Sequence, residues 1–577
     1  MPSPQWRTLV APTLLTCILL YAALLRFDAL FKAYGPYDQP QWLAAMQPVV
    51  GAAASAITPD WRRRHDPTPY VGGDPINYLK FAREMRNFYA AHVREPMFPA
   101  VAKIGLRLAG DADVGISVTS ITFGLLTLVA TYALGTSVAS PMVGLAAAAM
   151  LGIDHSAVNW AIGGWRDELF AFFAVSCAWV WLRFARDPTL ANAALAGALS
   201  GGACLTRITT IALIVPAVIW LLTTRGAQIR RPLALAMGIM AVIVAPFLIN
   251  CAIATGDPFY AINNHTDFYL KREGVPDVTP ISAVRYSLDK FESRPIAATD
   301  NAVRGIFVYP FSNKWVGLND WYPGLGTVLA CLAAAGLVAW LWQPEGRLLL
   351  AMFFGSLVPF SMTWRVLGGA EWRLTLFAYA FYLIAAFWAV EKAARFVRAA
   401  LVARDAKPWA QVTRHQILRT VAIVLALVLV AGVWSVAVPY ALVREEFTYA
   451  GAATVMAGPR DRWFFVDGWS DLVVEGNVTT RFAAAPGATL RIPLPEARSY
   501  ALTVRADPVD PSAAAQQIVH VSLNETHLGD LVLGWNPERI GEYRVTIPAG
   551  IVAPGSQYLR LRSDTAFKLW YVRIAAL

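Results

Sequence analysis

Residues 70–99 read YVGGDPINYLKFAREMRNFYAAHVREPMFP. The stretch lies between two hydrophobic spans, is too polar to cross a membrane itself, and carries a pattern that a plain linker lacks. Gly72 and Gly73 permit a tight backbone approach, and Asp74-Pro75 reads as a helix N-cap followed by the first helical residue. Tyr78, Phe81, Ala82, Met85, Phe88 and Tyr89 then share one helical stripe, with Lys80, Arg83, Glu84 and Asn87 mainly on the other. The expectation is an amphipathic helix in the membrane interface, with Asp74 at its start, just outside the bilayer. The spacing leaves two roles open for Asp74: a helix cap, or a carboxylate for chemistry on a lipid-linked substrate.

The chain around this stretch has 577 residues, 56% of them hydrophobic and only 15% charged, with a mean hydropathy of +0.46. That balance excludes an ordinary soluble protein, and 21 tryptophans suit a polytopic membrane chain with interfacial aromatics. The net charge of +10 does not indicate nucleic acid, because many basic residues lie in short loops between apolar spans. The five cysteines fall in or beside apolar spans without a CxxC or Cys/His cluster, so neither a disulfide framework nor a zinc site is indicated.

At roughly 20 apolar residues per crossing, about eleven spans are expected, near 8–26, 114–138, 142–162, 168–185, 190–206, 208–223, 233–253, 324–342, 348–364, 374–390 and 419–440. Arg183 with Arg186, Arg225 with Arg230 and Arg231, Arg347, and the run from Lys392 to Arg419 fall on alternate loops, which become cytoplasmic. The 28–113 loop, the 254–322 loop and everything after Tyr440 are then outside. From about residue 455 the texture changes to short alternating runs such as ATLRIPL, YALTVRA, IVHVSL and KLWYVRI, separated by turn residues. This reads as an antiparallel β-sandwich or jelly roll over 455–577. Trp469, Trp535 and Trp570 are its candidate sugar-stacking residues, with at least one of them expected in the core.

Several stretches bear a joint resemblance: GGDPINYLKFAREM and HVREPMFP after the first span, WRDELFAFF before the fourth, LAGALSGGACLTR at the fifth, and GGAEWRLTLFAY at the tenth. Together with the terminal β region they resemble the membrane-embedded GT-C glycosyltransferases, particularly the protein O-mannosyltransferase and aminoarabinose transferase branch. The resemblance covers roughly 1–440 of a membrane domain expected over 1–445, with 455–577 as an appended extracytoplasmic domain. It implies transfer of a sugar from a polyprenyl-phosphate donor to a lipid, glycan or protein acceptor, by inversion, on the periplasmic side of a bacterial inner membrane. It also implies an acidic base in the first outer loop. Asp74 matches that position, although the family often has Asp-Glu where this chain has Asp-Pro, and Asp28 in LLRFDALF is the competing candidate.

The residue types suit that chemistry. An acceptor hydroxyl attacking an anomeric carbon needs a carboxylate to take its proton, and a phosphate leaving group benefits from fixed cations. The resemblance puts a basic phosphate contact at Arg373, and Arg365 is its neighbour across Gly368 and Gly369. Arg207 between two apolar spans, and Arg94 in HVREP, are further phosphate candidates. Glu95, Asp167, Glu168 and His265 are candidate substrate contacts, each open also to an ordinary loop salt bridge or cap. One His and one Asp in AINNHTDFYLKRE are too few for a metal site, so none is assigned, and a divalent metal stays open as a cofactor. Two rivals remain: a transporter or flippase of a lipid-linked substrate, and a non-catalytic glycan-binding membrane protein.

Overall fold

The computed structural model describes residues 10–34, 40–59, 73–273, 279–361, 371–402, 412–458, 460–475, 478–509, 517–534 and 541–577. The chain divides into two compact units, 1–287 with 301–410, and 288–300 with 411–577.

The first unit is helical. Among the described residues of the whole chain, six helices are long and apolar enough to cross a membrane, or up to eight if two bent pairs each count as a span. The helices Val114–Val138 and Asp167–Arg186 fall where hydropathy puts them. The expected span 142–162 is instead broken into Pro141–Ile153 and His155–Ile162, bent by 64°. The break is at Asp154, whose side chain accepts the Ala157 N–H at 2.9 Å and so starts a second helix. The expected pair 208–223 and 233–253 lies within one apolar stretch, Ile208–Thr255, interrupted where Gly226 adopts φ +61°. Leu190–Thr206 is apolar but only 17 residues long. The expected pair 324–342 and 348–364 is the second bent pair, Leu325–Trp340 and Pro344–Ser361, which turns by 117° and counts as at most one span. The expected eleven spans thus meet six to eight, the difference residing in these broken, joined or short helices.

The second unit carries two antiparallel sheets. Its strands are β1 (Ala452–Met456), β2 (Phe465–Asp467), β3 (Val473–Glu475), β4 (Val478–Ala483), β5 (Gly487–Leu494), β6 (Tyr500–Pro508), β7 (Gln517–Leu523), β8 (Thr526–Leu533), β9 (Glu542–Ile547), β10 (Gly555–Arg562) and β11 (Phe567–Ala576). One sheet runs β3-β4-β11-β6-β9, with β1 also on β11; the other runs β2-β5-β10-β7-β8. Alternate residues of β6 and β11 (Leu502, Val504, Val572, Ile574) and of β7 and β10 (Val519, Val521, Leu559, Leu561) are buried in one core. Val443 and Phe447 of the helix Val412–Ala450 join that core, which is why this helix groups with the strands. Trp469 is built into the sandwich, its N–H donating to Thr489 O at 2.8 Å and its ring set against Phe465 and Phe567. Trp570 is also buried, and Trp535 lies outside the described residues.

Candidate functional site

The helix predicted from Asp74 runs from Asp74 to Glu84. Gly73 is its N-cap at φ +66°, a conformation that favours glycine, so Asp74 is the first helical residue and Pro75 the second. The helix ends before Phe88 and Tyr89, with Lys103 Nζ donating to the carbonyl of Met85 just past its end. Its apolar side is covered by protein: Tyr78, Leu79 and Ala82 are buried, and the Tyr78 ring meets Phe98 edge-on at 5.1 Å. The expected interfacial helix is therefore packed on the helical core along this face.

That packing turns the Asp74 carboxylate toward arginines. Oδ1 accepts from Arg94 Nη2 at 3.0 Å and Oδ2 from Arg373 Nη2 at 3.2 Å. Arg373, on the short helix Glu371–Leu374, also donates to Asp167 Oδ2 at 2.8 Å and stacks on the Trp165 ring at 3.8 Å. The other oxygen of Asp167 accepts from Arg207, at the break between Leu190–Thr206 and the next apolar stretch. Glu95 accepts from Arg166 at 2.5 Å and from the Ile208 N–H at 3.0 Å, which ties the segment before Val114–Val138 to that same break. The guanidinium groups of Arg94 and Arg166 both lie over the Tyr78 ring, at 5.7 and 5.8 Å.

Burial pushes the Asp74 carboxyl up, but Arg94, Arg373 and Arg166 outweigh it and hold it below the usual carboxylate range. Glu95 follows the same pattern: burial raises it, and Arg166 with the Ile208 N–H brings it below its ordinary value. His265, at the start of the helix His265–Arg272, contacts Arg94 through Nε2. Burial first, then Arg94 and Arg166, lower it to about 3. Arginine only donates, so His265 Nε2 accepts and the imidazole is neutral.

These groups surround a cavity of about 740 Å³ lined by Asp74, Arg94, Glu95, Arg166, Arg207, His265 and Arg373, with Phe81, Trp165, Phe268, Tyr269 and Tyr286 as aromatic walls. In the cluster, Arg94, Arg166, Arg207 and Arg373 meet Asp74, Glu95 and Asp167, one positive charge in excess. A concave, partly apolar site with convergent charges and a positive surplus suits an anionic ligand.

The structure gathers Asp74, Arg94, Glu95, Arg207, His265 and Arg373 around the cavity, with Asp167 behind two of the arginines. It does not bring Glu168 to the cavity wall. Glu168 is buried with Oε2 toward Gly124, and its Oε1 has no hydrogen-bond partner among the described residues. Asp28 is also elsewhere, and it does not follow the first span: the first helix runs on to Tyr34, and Asp28 is buried on it in an ion pair with Lys32 at 2.8 Å. Arg365 lies outside the described residues. Among the described residues no group of three or more His, Cys, Asp or Glu is placed to hold a metal ion. Sequence reading missed Trp165, Tyr269 and Tyr286 as cavity walls. WRDE marked the first by its neighbours, and nothing in the 254–322 loop singled out the two tyrosines.

Residues 93–250 match the family model for dolichyl-phosphate-mannose-protein mannosyltransferase. No curated protein matches the chain. Among solved structures, the archaeal oligosaccharyltransferase AglB from Archaeoglobus fulgidus, in complex with an inhibitory peptide and a dolichol-phosphate, is 15% identical at a TM-score of 0.40, over 73% of this chain and 55% of that one. This chain thus spans just over half the length of that relative. Arabinosyltransferase EmbB from Mycobacterium smegmatis is 12% identical at 0.29, over 100% of this chain and 66% of that one. The C-terminal CBM6 of LamC from Zobellia galactanivorans is 16% identical at 0.17, over 22% of this chain and 98% of that one. Resemblance and family model agree: the stretch carrying Arg94, Glu95, Arg166, Asp167 and Arg207 is similar to the dolichyl-phosphate-mannose-protein mannosyltransferases, a GT-C family.

Proposed function

We propose that this chain is a multi-pass membrane glycosyltransferase that moves a sugar from a polyprenyl-phosphate donor to an acceptor hydroxyl, with Asp74 as base. The observation that carries the reading is the arginine–carboxylate cluster, which bears one surplus positive charge and opens on the cavity beside Asp74. The family match over 93–250 supports sugar transfer from a lipid-linked donor. One net positive charge suits a phosphodiester, which carries one negative charge.

In this mechanism Arg373, Arg207 and Arg94 bind the donor phosphate through charge-assisted hydrogen bonds. The acceptor oxygen attacks the anomeric carbon from the side opposite the phosphate, and its proton passes to Asp74. The bond from the anomeric carbon to the phosphate oxygen breaks with inversion, and the lipid phosphate leaves with its new charge balanced by the same arginines. His265, Glu95 and Asp167 keep the arginines in place, and the aromatic walls offer faces for sugar rings. The acceptor is a lipid, a glycan or a protein. The site and the 455–577 sandwich face the periplasm across a bacterial inner membrane, and the sandwich contacts carbohydrate or positions the acceptor.

The test is a radiolabel assay with purified protein and a panel of polyprenyl-phosphate sugars, with membrane lipids, glycans and peptides as acceptors. Label transferred from at least one donor supports the reading. Retention of the label on every donor, with neither transfer nor hydrolysis, contradicts it.

A further inference from the structure

Asp74 faces the cavity with a side chain 29% exposed, yet both of its oxygens are occupied by guanidinium groups, Arg94 at 3.0 Å and Arg373 at 3.2 Å. A carboxylate in that state is a poor base, because protonation leaves two cations without their counter-charge. Those same two arginines line the space a phosphate would enter. Each has a second anchor, Arg94 on His265 and Arg373 on Asp167, so each can leave Asp74 and still be held. The cluster also keeps donors in reserve: the Nε of Arg166 and of Arg207 are buried without a hydrogen-bond partner among the described residues. Buried unused donors beside a cavity point to a ligand rich in acceptor oxygens. Arg166, Tyr78, Asp167, His265 and Tyr269 are the other charged and titratable groups around Asp74.

We propose that the donor phosphate and Asp74 compete for Arg94 and Arg373, so that the base is masked in the empty cavity and freed when the donor binds. This rests on the reading of the cavity as a lipid-phosphate site. It imposes an order, donor before acceptor, and it keeps an acceptor that enters first from meeting an active base.

The experiment titrates the purified full chain, in detergent, with a methyl diester of decaprenyl phosphate, which has no titrating group of its own. Calorimetry at about pH 4.5, near the ordinary carboxylate range, in two buffers of different ionisation enthalpy reads the protons taken up on binding. Masking predicts uptake of a fraction of a proton in the parent and none in Asp74→Asn, which has lost the competitor and should bind about tenfold tighter. Asp267→Asn removes the same charge from the cavity wall, but Asp267 bonds to Lys271 at 3.0 Å and so holds neither arginine. It should keep the proton uptake and tighten binding far less. Binding without Asp74-dependent uptake, or equal tightening by the two variants, overturns the masking and leaves the phosphate site standing. Absence of binding overturns both.

Discussion

The helical unit and the sandwich unit both bury ionised groups, in different ways. In the sandwich unit Asp461, with no exposed surface, accepts from Arg460 at 2.5 and 2.7 Å and from the Met456 N–H at 2.8 Å. Its partners lie within five residues, and Arg460 has a second carboxylate, Glu446, at 3.8 Å, so this cluster has no surplus of arginine. In the helical unit the bonds of Asp74 reach across 20 and 299 residues, arginines exceed carboxylates in the cluster, and the group opens on a cavity. Buried charge alone does not mark a site, since a local ion pair such as Arg460–Asp461 belongs to the structure and is costly only to break. Surplus charge, long reach and an adjoining cavity together do mark one.

The sharpest way to break this contrast is at Asp74. Asp74→Asn keeps the shape and removes the base, so single-turnover transfer should fall by about 10²–10⁴-fold, roughly 3–5 kcal/mol of barrier. Asp28→Asn should transfer at nearly the parent rate, because Asp28 is paired with Lys32 away from the cavity. A dead Asp28→Asn beside a fully active Asp74→Asn would move the base to Asp28.

The reciprocal change is Asp461→Ala. It leaves Arg460 without its closest partner and the Met456 N–H without an acceptor. Breaking a buried pair costs roughly 3–5 kcal/mol of stability, and part-exposure of Arg460 should put the loss at or below the lower end. Thermal unfolding should drop while transfer per folded molecule is unchanged. Loss of transfer without loss of stability would erase the distinction between the two clusters.

Acid gives the smallest effect. Asp74 and Glu95 both have folded values below the ordinary carboxylate range. Their contribution is present above the unfolded value of about 4 and is lost as pH falls through the lower folded values. The melting temperature should therefore decline below about pH 4, and less steeply in Asp74→Asn. An unchanged slope in that variant would mean that Asp74 is not held ionised by its arginines.

Much of this was legible in the sequence because it depends on local pattern. Hydropathy located Val114–Val138, and alternation located β5 to β11, whose residues pack on one side and meet solvent or partners on the other. β1, β3 and β4 were not legible: AATVM and VVE are too short to show a period. Charges at span ends could be listed, but not sorted. Successive residues on a helix diverge by about 100°, which is why Asp167 meets the arginines while its neighbour Glu168 faces Gly124. The outer loop was expected to begin at Asp28 because hydropathy shows where apolar residues stop and not where the helix stops, eight residues beyond the span expected to end near 26, about two turns. The joining of Asp74 to Arg373 came from helix packing; the paired arginines around Gly368 and Gly369 marked Arg365 and Arg373 together, and resemblance chose Arg373 between them.

The decisive quantity is the affinity of the cavity for lipid phosphate. Binding of decaprenyl phosphate to the purified chain should be saturable and should weaken with salt. It should fall about 10–100-fold in Arg373→Ala, the loss of a charge-assisted contact of roughly 1.5–3 kcal/mol. Affinity in Arg373→Ala equal to that of the parent, or no saturable binding at all, would contradict the assignment of this cluster to a phosphate-bearing donor.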